Sequence, residues 1–352
     1  MKRIEALRPM LPVKAALVTS PVSRFYLLGF SSSAGSLLIL PDDWKLVIDG
    51  RYVEAATNAL PTGHVILEND LWRQIEALCA ERNITEVAIE EASVSVETFQ
   101  NWQAATKVHL TEEGKLSHAL SVLRMVKTPE ELEAFRCAQR ITDEAFAETL
   151  NYIRAGANTM EIRIRMGLEM AKRGCEKRSF DMILTSGPRT ALPHGHPEIT
   201  TLQDGDFVMM DVGAKFNGYS ADMTRTVAVG HVTEEQEKVY ATVLHAQQKA
   251  IDMLRPGVVC RDVDAAARKA IGDAGYQDCF NHGLGHSLGL EIHEQPRLNA
   301  LCQTVLAPGM MTTVEPGIYL PGRFGVRIED MGAVTESGFE NMTHSEKNLL
   351  IL

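Results

Sequence analysis

MDVGAKFNGYSADMTRT, residues 210–226, is the stretch on which the fold of the second half of this chain turns. The residues leading into it, Phe207-Val208-Met209-Met210-Asp211-Val212, are apolar and predict a buried strand. Tyr219 to Val229 carries Met223, Thr224, Thr226, Val227 and Val229 and predicts a second strand. Between them, Asn217-Gly218 is a strong signal for a two-residue hairpin loop. With that loop, Phe216 faces Tyr219, and counting back sets Asp211 opposite Thr224 and Gly213 opposite Asp222. Residues two apart on a strand share a face. Asp211 and Asp222 then become diagonal neighbours on one face, about 7–8 Å apart at Cα. Two carboxylates that close on a half-buried face repel each other, and one must take up a proton unless cations lie between them.

Three more candidate ligands follow in the chain. His286 lies in NHGLGHSLG (281–289), where glycines let the backbone pass close to a site and His282 stands four residues earlier. Glu315 closes the run Met311-Thr312-Thr313-Val314 and precedes Pro316-Gly317, so it sits where a strand meets a turn. Glu329 lies in Val326-Arg327-Ile328-Glu329-Asp330, alternating with apolar residues and sharing a strand face with Arg327. By itself that pair also fits a simple ion pair. Four carboxylates and one imidazole suit Mn²⁺, Co²⁺, Zn²⁺ or Fe²⁺ rather than a structural zinc held by thiolates. Two divalent ions would neutralise the four negative charges, and two metals roughly 3.5–4 Å apart can hold a bridging water and clamp a scissile carbonyl.

ALPHGHP (191–197), MDVGAKFNGYSADMTRT (210–226), HGLGHSLGLEIHEQPR (282–297), VEPGIYLP (314–321) and GVRIED (325–330) together resemble the M24 metallopeptidases of pita-bread fold. Within that family the chain is most similar to the Xaa-Pro group, which comprises Xaa-Pro dipeptidases (prolidases) and Xaa-Pro aminopeptidases. The resemblance is dense from about residue 120 onward and looser before. It implies that Asp211 chelates one metal, Asp222 and Glu329 bridge both, His286 binds one and Glu315 the other. Glu315 would also shuttle the proton of the bridging water. His194 and His282 would line the substrate pocket, and His293 would contact the scissile amide. Arg327 would stand beside the bridging glutamate, and Arg297 could meet the carboxylate of a short substrate. The resemblance further implies manganese as the most favoured metal, peptides with proline at the second position as substrates, and a homodimer. Its rivals are a methionine aminopeptidase, a creatinase-like amidinohydrolase and a non-enzymatic binding protein. The first does not need His282, and the other two would be expected to have lost ligands. Dipeptidase is favoured only slightly over aminopeptidase.

Composition agrees with these readings without establishing them. The 352 residues suffice for two domains, and a net charge of −11 argues against nucleic acid or an anionic membrane as partner. Six cysteines without a C-x-x-C pair fit reduced thiols in a cytoplasm. No signal peptide or membrane span is expected, since Pro12 and Lys14 interrupt the N-terminal apolar residues. The expected class is α+β. A small α/β domain is read over 1–122, and the resemblance implies that it is of the creatinase type and that 123–352 is the catalytic domain, a curved antiparallel sheet covered by helices. Strands are predicted at 16–18, 36–40, 46–48 and 87–89, and a helix at 71–82. Thr128-Pro129-Glu130-Glu131 predicts a capped helix running to about Arg154. Ile153-Arg154-Ala155-Gly156 returns as Leu254-Arg255-Pro256-Gly257, and the following helices end at Gly174 and Gly275, all at an offset of 101 residues. A second capped helix is predicted from Thr233, so the catalytic domain carries an internal repeat.

Overall fold

The computed structural model describes residues 2–113, 115–196 and 198–352; Pro197, at the end of the 191–197 motif, lies outside them. The chain divides into two compact units, Met1–Arg124 and Met125–Leu352. In the first unit, β1 (Ala16–Val18), β2 (Ser36–Ile39), β3 (Trp44–Ile48), β4 (Val65–Leu67), β5 (Glu86–Ile89) and β6 (His109–Thr111) form one mixed sheet in the order β4-β3-β2-β1-β5-β6. β1 and β2 are buried along their whole length. This is why both read in the sequence as continuous apolar runs rather than alternating ones. Helix α1 (Leu71–Ala80) begins at Asp70, whose carboxylate accepts from the Arg73 N–H at 3.2 Å. Its Ile75 and Cys79 pack against Leu17, Leu38, Val87 and Leu110.

In the second unit the helices come in two pairs, α2 (Pro129–Leu150) with α3 (Thr159–Lys172), and α4 (Glu234–Met253) with α5 (Cys260–Asp273). α2 opens with a capping box between Thr128 and Glu131, and α4 opens with the same device between Thr233 and Gln236. After each long helix a glycine N–H bonds across to a distant segment: Gly156 to the Leu202 carbonyl and Gly257 to the Leu306 carbonyl, both at 2.9 Å. The repeat read from the sequence is therefore structural. α2 stops at Leu150, short of Arg154, because its last turns tighten into Tyr152 N–H to Thr149 (3.0 Å) and Ile153 N–H to Leu150 (3.1 Å) bonds.

Each helix pair covers its own part of the sheet. Ile141, Phe146, Ile162 and Met166 pack on Val208, Met210 and Val212, while Val239, Val243, Val263 and Ile271 pack on Val314, Ile318, Val326 and Ile328. Strand alternation then turns Asp211 away from the helices.

β8 (Ile183–Ser186), β9 (Phe207–Val212) and β12 (Met223–Ala228) pair antiparallel. The hairpin continues as β10 (Ala214–Phe216) and β11 (Tyr219–Ser220), with β7 (Lys177–Arg178) alongside. Phe216 pairs with Tyr219 and Asp211 with Thr224, the register counted from the sequence. Asn217 and Gly218 have φ of 48° and 80°, as their turn requires. The two strands are not continuous, however. The ladder opens at Gly213 and Asp222, where a Cβ on residue 213 would lie 1.9 Å from the Ala221 carbonyl oxygen.

The rest of the unit contains β13 (Gly285–Ser287) paired with β14 (Glu294–Leu298), and β15 (Met311–Val314) with β18 (Asp330–Val334) and β19 (Phe339–Asn341). β16 (Gly317–Leu320) pairs with β17 (Phe324–Arg327). The stretch Val326–Asp330, expected to be one strand, is broken at Ile328 and Glu329. There the chain passes from its partner β16 to its partner β15. Among the described residues no helix is long and apolar enough to cross a membrane, and the six cysteines are free.

Candidate metal centre

Four of the five ligand candidates sit at a strand end or a break in the ladder, and Asp211 is one residue short of one. Asp211 lies near the end of β9, Asp222 just before β12, Glu315 just after β15 and Glu329 between β17 and β18; His286 stands at a bulge in β13. At such places the backbone is released from regular pairing and can aim a side chain inward.

All five border one cavity of about 230 Å³. His194, His282, His293, Arg297 and Arg327 line the same cavity, so the structure brings together every residue singled out in the sequence. Oxygen or nitrogen atoms of Asp222, His286 and Glu329 lie within 4.8 Å of one another. The Nε2 of His286 stands 3.4 Å from a Glu315 oxygen and 3.6 Å from an Asp222 oxygen. Its Nδ1 donates to the Ser287 carbonyl at 3.1 Å, which leaves the Nε2 lone pair facing the carboxylates. Burial, with His293 beside it, pushes the His286 pKa down to about 3, so the imidazole is neutral and able to ligate.

The carboxylates show the strain of uncompensated charge. Burial, then Glu329, Asp211 and Glu315, raise Asp222 well above the usual carboxylate range. Burial and the neighbouring Glu315 and Asp211 do the same to Glu329. Glu315 is raised to about 8, chiefly by burial. One Asp211 oxygen is buried without a hydrogen-bond partner. A buried acceptor left open beside three carboxylates that resist ionisation fits a site built for cations.

Residues that the sequence did not single out complete the frame. Thr224 donates to Glu329 Oε2 at 2.7 Å and accepts from Arg327 Nε at 3.1 Å. Tyr319 accepts from Arg327 Nη1 at 3.0 Å, and its hydroxyl meets His282 Nε2 at 2.9 Å. Arg327 also donates to the Pro193 carbonyl and to Asp211. Burial works against the charge on Arg327, but Tyr319, Asp211 and Glu315 outweigh it and keep the guanidinium protonated. His282 donates through Nδ1 to Gly283 O (2.8 Å) and is held neutral, its pKa lowered to about 4 by burial and Arg327. Asp264 accepts from the Leu284 N–H at 3.0 Å, and Arg268 donates to the Phe280 and His282 carbonyls, which fixes the glycine-rich loop from below. The rings of His286 and His293 meet edge to face, centroids 4.4 Å apart. Phe180, Ile183 and Ile292 supply an apolar side of the cavity. Thr224 had a signal in the sequence, since the count places it opposite Asp211. Tyr319 had none, because its partners are distant in the chain.

With this geometry in hand, comparison with known proteins is decisive. Residues 133–336 match metallopeptidase family M24, and residues 3–126 match the creatinase/prolidase N-terminal domain. The chain belongs to the M24 metallopeptidases, with a creatinase-type domain ahead of the catalytic one. It is 35% identical to an Xaa-Pro dipeptidase of Pyrococcus furiosus over 338 residues, covering 96% of this chain and 95% of that protein. The solved structure of an Xaa-Pro dipeptidase from Bacillus anthracis superimposes with a TM-score of 0.96 at 36% identity, covering 100% of this chain and 99% of the other. An X-Pro aminopeptidase from Thermotoga maritima superimposes with a TM-score of 0.90 at 32% identity, covering 99% and 100%.

Proposed function

We propose that this chain is a two-metal exopeptidase that cleaves the bond between an N-terminal residue and proline. The observation that carries this reading is the convergence of five ligand-type side chains with His194, His282, His293 and Arg297 on one cavity. Asp211, Asp222, His286, Glu315 and Glu329 would hold the ions between them. Mn²⁺ fits this oxygen-rich set best, with Co²⁺, Zn²⁺ and Fe²⁺ as further choices. When bound, the ions supply Lewis acidity, activating a water and polarising the scissile carbonyl.

The chain's own residues do the rest. Glu315, at the edge of the cavity, takes and passes on the proton of the attacking water. His293, kept neutral by burial and by the nearby Arg297, hydrogen-bonds the scissile amide as charge develops. His194 and His282 border the substrate. A proline nitrogen carries no N–H, so the pocket need not satisfy a donor there. Phe180, Ile183 and Ile292 offer the ring an apolar wall. Arg297 suits the free carboxylate of a dipeptide, which favours dipeptides over longer chains. The working form is a cytoplasmic homodimer, with neither nucleic acid nor membrane as partner.

The test is a substrate panel on chelated protein given Mn²⁺, Co²⁺ or Zn²⁺: a dipeptide Xaa-Pro, longer Xaa-Pro-peptides and Met-Ala-peptides. Xaa-Pro dipeptides should turn over fastest. Faster cleavage of Met-Ala-peptides would replace this reading with a methionine aminopeptidase, and faster cleavage of long Xaa-Pro-peptides would remove the dipeptide preference alone.

A further inference from the structure

We infer that a buried ion pair outside the cavity, Lys127 with Glu294, is a positioning device for His293; the inference rests on the role proposed for that histidine. Lys127 Nζ donates to Glu294 Oε2 at 2.9 Å, and the two side chains are 2% and 6% exposed. Lys127 enters the second unit just ahead of α2, held by its own N–H to the Gly309 carbonyl at 2.8 Å. Glu294 is the first residue of β14 and follows His293 directly.

Glu294 does more than meet a lysine. Its other oxygen, Oε1, accepts from the Glu291 N–H at 3.2 Å, so the carboxylate folds back under the segment that carries Ile292 and His293 to the cavity. Gly289 lies so close that a Cβ there would come within 2.1 Å of Oε1, which shows how tightly the segment closes around the carboxylate. The start of the segment is tied separately. Lys215 Nζ donates to the Leu290 carbonyl at 2.6 Å, and the Gly289 carbonyl accepts from the Ser220 N–H at 2.9 Å. His293 thus projects from a short turn pinned at both ends by buried charges, and the Lys127–Glu294 tie acts on the residue next to it. A fully buried pair is rarely retained for stability alone, because desolvation offsets most of its attraction. What it supplies here is a fixed direction for the His293 ring against His286.

The experiment compares Lys127→Met, Glu294→Gln, the double variant Lys127→Met/Glu294→Gln, His293→Ala and the double variant combined with His293→Ala. Lys127→Met takes the lysine charge away from a buried carboxylate, so the double variant, which removes both charges, keeps the test sound if the single one misfolds. For each, kcat, KM, bound manganese and melting temperature are measured. The double variant should lose kcat by roughly 10- to 100-fold, the scale of a small misplacement of a catalytic group. Its metal content and KM should change little. Adding it to His293→Ala should lower kcat no further, because residues that act as a unit are not additive. An additive loss, or a loss that follows melting temperature alone, would overturn the inference and make the pair a structural tie. Should His293→Ala lose turnover while the double variant keeps it, the inference falls and the role of His293 stands. Normal turnover in His293→Ala would bring down both.

Discussion

The two halves of the catalytic unit repeat the same helix pair yet deliver their ligand candidates differently. Asp211 and Asp222 come from one hairpin, whose register two turn residues set. His286 comes from a bulge in β13 and Glu315 and Glu329 from strand ends, all aligned by bonds between residues far apart in sequence. The His286 N–H bonds to Thr313, 27 residues on, and Thr224 bonds to Glu329, 105 residues on. The first half therefore places its ligands by local geometry. The second depends on Thr313 and Thr224, which do not line the cavity, and substitutions there should reach the site indirectly.

The largest effect tests the convergence itself. Asp222→Ala and Glu329→Ala, one from each half, should each reduce activity by far more than the roughly 10- to 100-fold typical of disturbing a residue behind a ligand. Both should lose metal in elemental analysis, whereas His194→Ala should keep it. Equal metal loss in all three would show that the ligand assignment is wrong.

Next comes the split between the two neighbouring histidines. His293→Ala should lower turnover by about 10²–10³, or about 2.7–4 kcal/mol, with metal retained. His286→Ala should instead lose activity by losing metal. Titration with Mn²⁺ to saturation separates the two, and a His293→Ala enzyme with near-normal turnover would make that residue a structural one.

A smaller effect probes the long-range bonds of the second half. Thr224→Val keeps the shape but strips the hydroxyl between Glu329 and Arg327. It should cost about 1–3 kcal/mol of stability, the penalty for unsatisfied buried groups. Metal affinity should weaken by about 10- to 100-fold. Thermal melting and competition titration with a chelator read the two. Unchanged affinity would mean that Glu329 needs no such support, and the contrast between the halves would collapse.

The smallest effect should be the same on both sides. Thr128→Ala and Thr233→Ala remove equivalent helix caps and should each cost about 1 kcal/mol, read as a drop in melting temperature. A large difference between them would show that the repeat is one of shape and not of energetics.

Much of this could be read in the sequence where the cause is local. The hairpin register followed from Asn217-Gly218, the capped helix starts from Thr128 and Thr233, and the strands of the first unit from their apolar runs. All five ligand candidates were visible as acidic or imidazole side chains in strand-like or glycine-rich settings. The breaks at Gly213, Asp222 and Glu329 were not visible, because a strand changing partners leaves its alternation intact. Tyr319 was missed for a related reason: it reads as one more apolar strand residue, and its hydroxyl acquires meaning only when Arg327 and His282 arrive from elsewhere. The pairing of Lys127 with Glu294, 167 residues apart, leaves no local trace at all.

The two-residue turn at Asn217-Gly218 also gives the site a parity. One extra residue there would leave every ligand in the chain and every helix intact, yet each residue of the outgoing strand would change sides. Asp222 would turn toward the helices, and Met223 would take its place above the cavity. An insertion of two residues would restore the original sides at the expense of a looser turn. An insertion scan read by bound metal should therefore alternate between loss and partial recovery, so that odd and even changes in length, rather than their size, decide which descendants of this sequence keep a metal centre.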